Sequence, residues 1–150
     1  MMKVIKGKQQ WDPKKPLNVH VVLNLVTDII IKDIKEGITT HSEDIHGDPF
    51  EELLQDTIDS KRKKGYKHPE KPLFAKGKMK EVYLRKPATA SRLVATMGIN
   101  KRDRLAASGA HQEGSMILPT REWFGVSTRA IPKINKLTMR MLKKELRIRG

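Results

Sequence analysis

Residues 17–36 constrain this chain more than any other stretch. Val22, Leu25 or Val26, Ile29 and then Asp33 track one helical face, and Val19, Leu23, Val26, Ile30 and Ile34 follow the adjacent one. Steps of three and four are what a half-buried helix requires. Asn24, Asp28, Lys32 and Lys35 fall mostly elsewhere. A strand competes, because Val19, Val21 and Leu23 alternate and Val and Ile favour sheets. Length decides for the helix, since an uninterrupted strand of this extent would be unusual. Gly37 stands where a helix C-cap would. With 150 residues in all, the chain suits one domain built around this helix, with a modest core.

The remaining elements are shorter. Residues 38–47 are polar and read as a loop. Asp48 then suits an N-cap, Pro49 the first helical turn, and Glu51 the third position of a capping box. A second helix is expected over 49–64, with Phe50, Leu53, Leu54 and Ile58 on one face and Gly65 closing it. Its Lys61-Arg62-Lys63-Lys64 end complements the helix dipole. Residues 66–72 form an extended connector. Residues 81–85 suit a short strand, which Pro87 ends. Leu93, Ala95, Met97 and Ile99 alternate with Arg92, Val94, Thr96 and Gly98, so 93–99 reads as the clearest strand. Residues 100–104 are a charged turn, 105–112 stay open between short helix and loop, and 121–126 between strand and turn. Ser127 or Thr128 caps a last helix that tolerates Pro132 in its first turn. Ile134, Leu137, Met141, Leu142 and Leu146 are its expected buried stripe; Arg140, Lys143, Lys144, Arg147 and Arg149 decorate the rest. The expectation is a basic N-terminal arm, 1–16, followed by one domain, 17–150. That domain is α+β: a small antiparallel sheet packed by a long N-terminal helix, a second helix and a C-terminal helix that crosses the sheet.

Charge narrows the partners. Lys and Arg number 31 against 17 Asp and Glu, for a net charge of +14. Such a field draws in polyanions and supports salt-sensitive, sequence-independent phosphate contact. Aromatic residues make up 5%, too few for a broad base-stacking platform. Cys is absent, which excludes disulfides and thiolate metal sites. The longest apolar runs, such as Ile29-Ile30-Ile31, are far too short to span a bilayer, and the start lacks a secretory pattern, so no membrane partner is expected.

Four constellations invite chemical readings. His41, Glu43, Asp44, His46 and Asp48 carry metal-capable groups, but their spacing matches no closed site, and a solvated loop accounts for them; no metal or other cofactor is expected. His111, Glu113 and Arg121 could be cast as base, acid and phosphate clamp of a nuclease, yet no second general acid is identifiable. Gly77 lacks the spacing of a phosphate loop. The 61–64 run reads as a solvated helix end ahead of a nucleic-acid contact. The basic face of the last helix is a stronger DNA-facing candidate through Arg140, Lys143, Lys144 and Arg147; an acidic groove on a neighbour would suit it equally.

The most distinctive series lies late in the chain. His111-Gln112-Glu113-Gly114 is followed by Pro119-Thr120-Arg121-Glu122-Trp123-Phe124-Gly125 and then by the basic helix. Upstream stand Gly47-Asp48-Pro49-Phe50-Glu51-Glu52-Leu53, Thr57-Ile58, the Lys-rich run ending at Gly65, and residues 71–79. In this order they resemble the phage virion morphogenesis (tail completion) family, over most of the chain from Gly47 onward. The family's Tyr before the His is replaced here by small residues, and its Arg-Pro-Phe by Arg121-Glu122-Trp123-Phe124. The resemblance implies a non-enzymatic virion protein at the head–tail junction of a tailed phage. It would act as a ring, often hexameric, against neighbouring neck and tail proteins and in non-specific contact with packaged DNA. The rival is a basic nucleic-acid-binding protein, for DNA packaging or at the ribosome. Under the family reading Trp11, His111, Gln112, Gly114, Pro119, Arg121, Trp123 and Phe124 are interface or junction residues, Gly114 allowing the turn.

Overall fold

The first helix, α1, spans Val19–Glu36 and is the element against which the rest is assembled. The computed structural model describes residues 18–74, 80–99, 110–114 and 118–148, with side chains described up to 144. The N-terminal arm with Trp11, Gly77, the expected turn at 100–104 and the side chain of Arg147 therefore lie outside the described residues. The apolar periodicity of α1 is used unevenly. Thr27, Ile30, Ile31, Asp33 and Ile34 are buried, whereas Val19, Val21 and Leu25 remain exposed.

The chain does not leave the helix at Gly37. Its φ of −55° and ψ of −45° are right-handed, and the backbone continues as a π-helical turn, Gly37–His41, which Ser42 ends at φ 55°. The expected cap at Gly37 and a loop from residue 38 are thus corrected. The wider turn carries Ile38 into the core. The missing side chain of Gly37 has a different use: a Cβ there would stand 2.8 Å from Nη2 of Arg129.

The second helix is also shorter than its sequence signals suggest. Asp48 does not cap it. Instead Asp44 Oδ1 accepts from the backbone N–H groups of His46 (2.8 Å) and Asp48 (3.0 Å), closing a turn. Phe50 N–H then donates to Ser42 O (2.9 Å), and Glu43 bridges Pro49. This extended path seats Phe50 in the core, while Leu54, on the face assigned to it by helical spacing, is 79% exposed. Helix α2 begins only at Gln55 and runs Gln55–Lys63 with no buried residue; Gly65, at φ 69°, follows as expected.

Strand β1, Val82–Lys86, pairs antiparallel with β2, Thr96–Ile99. The register sets Val82 opposite Ile99 and Leu84 opposite Met97, with a bulge before Lys86↔Thr96. Val82 belongs to the core cluster that also holds Ile30, Ile31, Ile34, Ile38, Phe50 and Trp123, and the partly buried Leu84, Met97 and Ile99 pack against it. The expected strand over 93–99 loses its first half. Thr89 and Arg92 exchange backbone hydrogen bonds in a tight turn, Pro87 can donate none, and Leu93 and Val94 stay exposed with no partner strand among the described residues. The turn is tied to α1 by Asn24, whose side chain donates to Ala88 O (3.0 Å) and accepts from Ala88 N–H (2.7 Å).

The last helix, α3, spans Ala130–Ile148. Ser127 is its cap: Oγ accepts from Ala130 N–H (3.1 Å) while its carbonyl accepts from Ala130 and Ile131. Leu137 of the expected stripe is buried and Ile134 and Met141 are partly so, but Leu142 is exposed. Helix α3 packs chiefly on α1, so the α+β fold places α1 in contact with both the sheet and α3.

A charged seam fixes the α1–α3 contact. Asp33 is 2% exposed. Its carboxylate accepts from the Ser127 hydroxyl and faces Arg129 Nη2 at 3.4 Å and Lys133 Nζ at 3.6 Å. Arg129 Nη1 also meets Glu43 Oε2 and Asp44 O, both at 3.0 Å. One carboxylate therefore joins the end of α1, the cap of α3 and, through Arg129, the 43–44 segment.

Candidate functional site

Residues 110–113 form a helical turn that stands against the extended 119–124 segment. Gln112 joins the two. Its Oε1 accepts from the N–H groups of Trp123 (3.1 Å) and Phe124 (3.0 Å), and its Nε2 donates to Phe124 O (3.4 Å). A side-chain amide thus takes up backbone N–H and C=O groups as a neighbouring strand would. His111 O accepts from Arg121 N–H (2.6 Å). Gly114 has a φ of 76°, and a Cβ on it would stand 2.6 Å from Thr120 Oγ1. Only glycine both takes that conformation readily and leaves that space.

The upstream residues of the motif series meet the same segment. Arg121 Nη2 donates to Glu51 O (3.2 Å), and Ile45 N–H donates to Glu122 O (2.8 Å). Phe50, Leu73 and Trp123 share the core, with Phe124 edge-on to Trp123 at 5.4 Å between ring centres. Lys61 Nζ donates to Lys71 O and Lys71 Nζ to Thr39 O, each at 2.7 Å. Leu73 is held at φ 58°, a conformation costly for a bulky residue, and is buried.

Of the candidate residues, Arg121 and Trp123 are buried, while His111, Gln112, Gly114, Pro119 and Phe124 are partly buried. They form an intramolecular junction. Arg140, Lys143 and Lys144 are exposed on α3, and Lys133 and Lys136 extend the same basic face. A second face of α3 carries Ile131, Met139 and Leu142, also exposed. The apolar stripe drawn from the sequence merged this face with the buried one, because adjacent stripes on one helix differ only by a rotation.

Electrostatics separate the histidines. Glu122 Oε2 lies 2.6 Å from His46 Nε2, and that hydrogen bond raises the His46 pKa above its ordinary value. Burial lowers the pKa of His111, and the neighbouring Arg121 lowers it further. The side chain of Glu113 is exposed and pairs with neither His111 nor Arg121 among the described residues. In the 41–48 loop, Glu43 is engaged by Arg129, Asp44 by backbone and His46 by Glu122. Among the described residues no three His, Asp or Glu side chains stand together as a metal site would require. No described helix is long and apolar enough to cross a membrane.

The role of Gln112 is not legible in the sequence, since a side chain that pairs with backbone eleven and twelve residues on leaves no periodic signal. The burial of Arg121 was equally hidden; an Arg beside two aromatics reads as an anchor without showing whether it points inward. Comparison with family models, with curated proteins and with solved structures finds no match to this chain.

Proposed function

We propose that this chain is a non-enzymatic structural protein of a tailed-phage virion, acting at the head–tail junction as a completion or neck protein and assembling as a closed ring, most simply a hexamer. The observation that supports this most is convergence. The 47–53, 61–65, 71–74, 111–114 and 119–125 segments carry the family resemblance, and they meet in one packed module through Arg121–Glu51, Lys61–Lys71, Gln112–Phe124 and the Phe50–Trp123 core. Residues that hold each other in this way serve shape, which is what a ring subunit needs.

Ring closure requires two different patches that fit each other on adjacent copies. The Ile131–Met139–Leu142 face of α3 and the exposed Leu93–Val94 turn supply two apolar patches on separate elements. The basic face of α3 is left to meet packaged DNA or an acidic neck neighbour. The alternative reading, a basic nucleic-acid-binding protein, draws on that same face and the charge of +14.

The test is assembly. Particles made from the capsid, portal and tail proteins of the same genome are imaged with and without this chain. The proposal expects heads and tails to remain unjoined without it, and the chain to sit at the neck when present. Joined particles in its absence contradict the proposal. Tight duplex-DNA binding by the single protomer, falling steeply with salt, would favour the alternative.

A further inference from the structure

Two arginines in this fold are treated very differently. Arg129 spends its guanidinium on Glu43, Asp33 and the carbonyl of Asp44. Arg121 is more deeply buried, at 3% exposure, yet among the described residues it makes one side-chain hydrogen bond, from Nη2 to the neutral carbonyl of Glu51. Its Nε, like that of Arg129, is buried with no partner, but unlike Arg129 it has no carboxylate within ion-pair distance among the described residues. The Glu51 side chain is near enough to act on the guanidinium through space, but it is exposed and makes no such pair.

Lys61 adds positive charge nearby, and His111 adds a ring nitrogen. Lys61 and His111 both feel the field of Arg121, which, after burial, lowers the pKa of each. Glu70 acts on Lys61 in the opposite sense. Lys61 uses one proton on Lys71 O, and His111 Nδ1 is buried without a partner. Lys61 and His111 are only partly buried, so the cluster reaches solvent through them. A buried cation is normally paired, because an unpaired one is among the costliest arrangements a fold can hold. The Nε–Nη edge of a guanidinium is shaped to take two oxygens of one anion.

We propose that Arg121, with Lys61 and His111 beside it, is a binding site for one oxyanion group, a carboxylate or a phosphate. The anion seats against Arg121 Nε, which has no partner among the described residues, and supplies the charged contact that Arg129 finds in Asp33 and Glu43. This goes beyond the virion reading and does not depend on it.

The experiment is an NMR titration of the full chain with sodium phosphate and, separately, sodium acetate, at ionic strength held constant with sodium chloride. The Arg121 Nε–H and the His111 and His46 imidazole signals are followed. The expected result is a saturable shift of Arg121 Nε–H and a rise in the His111 midpoint, with His46, already paired to Glu122, unmoved. Saturation by acetate as well as phosphate makes a carboxylate from an adjoining chain a sufficient occupant; saturation by phosphate alone restricts the site to phosphoryl groups. Arg121→Gln abolishes the response. Should that variant not fold, Lys61→Gln, at a partly exposed position, weakens binding about tenfold, the loss of one charge-assisted contact. Parallel, non-saturating shifts of both histidines would mean only an ion atmosphere and overturn the proposal. So would an unresponsive wild type whose His111 midpoint drops in Glu51→Gln, since Glu51 would then be the anion.

Discussion

The α1–α3 seam and helix α2 use charged residues in opposite ways. At the seam, Asp33 is buried and gathers Ser127, Arg129 and Lys133, so two segments far apart in sequence are held in one arrangement. On α2, Asp59 pairs with Arg62 at 3.1 Å and with Gln55 at 3.0 Å, all on an exposed surface within one helix. Surface pairs of this kind contribute little, because water and salt compete for both partners. A buried carboxylate surrounded by donors is costly to strip, because each donor is then left without its acceptor. The number of ion pairs therefore says little about what fixes this fold; their burial does.

The sharpest way to break this contrast is to truncate one acid from each region. Asp33→Ala is expected to lower unfolding free energy by about 3–5 kcal/mol, as for other buried pairs that lose one partner. Asp59→Ala should cost less than about 0.5 kcal/mol. Urea unfolding of the two variants decides it, and equal shifts in midpoint would erase the distinction between seam and surface.

The 110–124 junction extends the comparison to neutral groups. Gln112→Ala leaves the N–H groups of Trp123 and Phe124 without their amide acceptor, at a cost of about 2–3 kcal/mol. Gln112→Glu keeps an oxygen for both donors and loses only the bond to Phe124 O, so it should be the milder change. Circular-dichroism melts of the pair measure the ordering, and a milder Gln112→Ala would remove the clamp from the account.

Gly37 gives a reversal of sign. In an exposed helix, Gly→Ala gains about 1 kcal/mol. Here the new methyl meets an Arg129 that is pinned on both sides, so Gly37→Ala should lose about 1–3 kcal/mol, within the range for overpacking. A rise in melting temperature would show that Arg129 moves aside freely and that the seam is looser than its bonds imply.

The smallest effects distinguish His46 from His111. The hydrogen bond to Glu122 raises the His46 pKa above 6.5, so its stabilising contribution is present in full below pH 6.5 and lost as pH rises through the folded value. Burial lowers that of His111, so stability is lost as pH falls below 6.5 and on through the lower folded value. Imidazole titrations should place the two midpoints on opposite sides of about 6.5. Coincident midpoints would contradict both assignments.

What could be read from the residues follows the reach of each signal. Helix α1 was legible because its apolar spacing persists over many turns, and β1 because Val82 and Leu84 alternate before Pro87. Ser127 was legible as one of two candidate caps. Gly37 misled because a glycine after a periodic run looks the same whether it supplies a left-handed turn or room for a guanidinium. Asp48-Pro49-Glu51 satisfied the local rules of a helix start, but Phe50 gains more from the core around Trp123 than the segment gains from an early helical turn. Leu93, Ala95, Met97 and Ile99 keep a step of two, yet the partner strand is only five residues long and pairs with Thr96–Ile99 alone among the described residues. At the junction, sequence order marked residues 111–124 as special, while the Gln112 clamp and the inward path of Arg121 depend on contacts that no local pattern encodes.

The proposal that this chain is a passive ring subunit meets its most direct test in the mass of the purified full-length protein, measured by light scattering at physiological ionic strength over a range of concentrations. The account predicts a closed assembly whose mass is a whole multiple of the protomer, six in the simplest case, and which no longer forms when Ile131, Met139 and Leu142 are replaced together by serine. A single-protomer mass at every concentration, with neck and tail components added as well as without them, would contradict it.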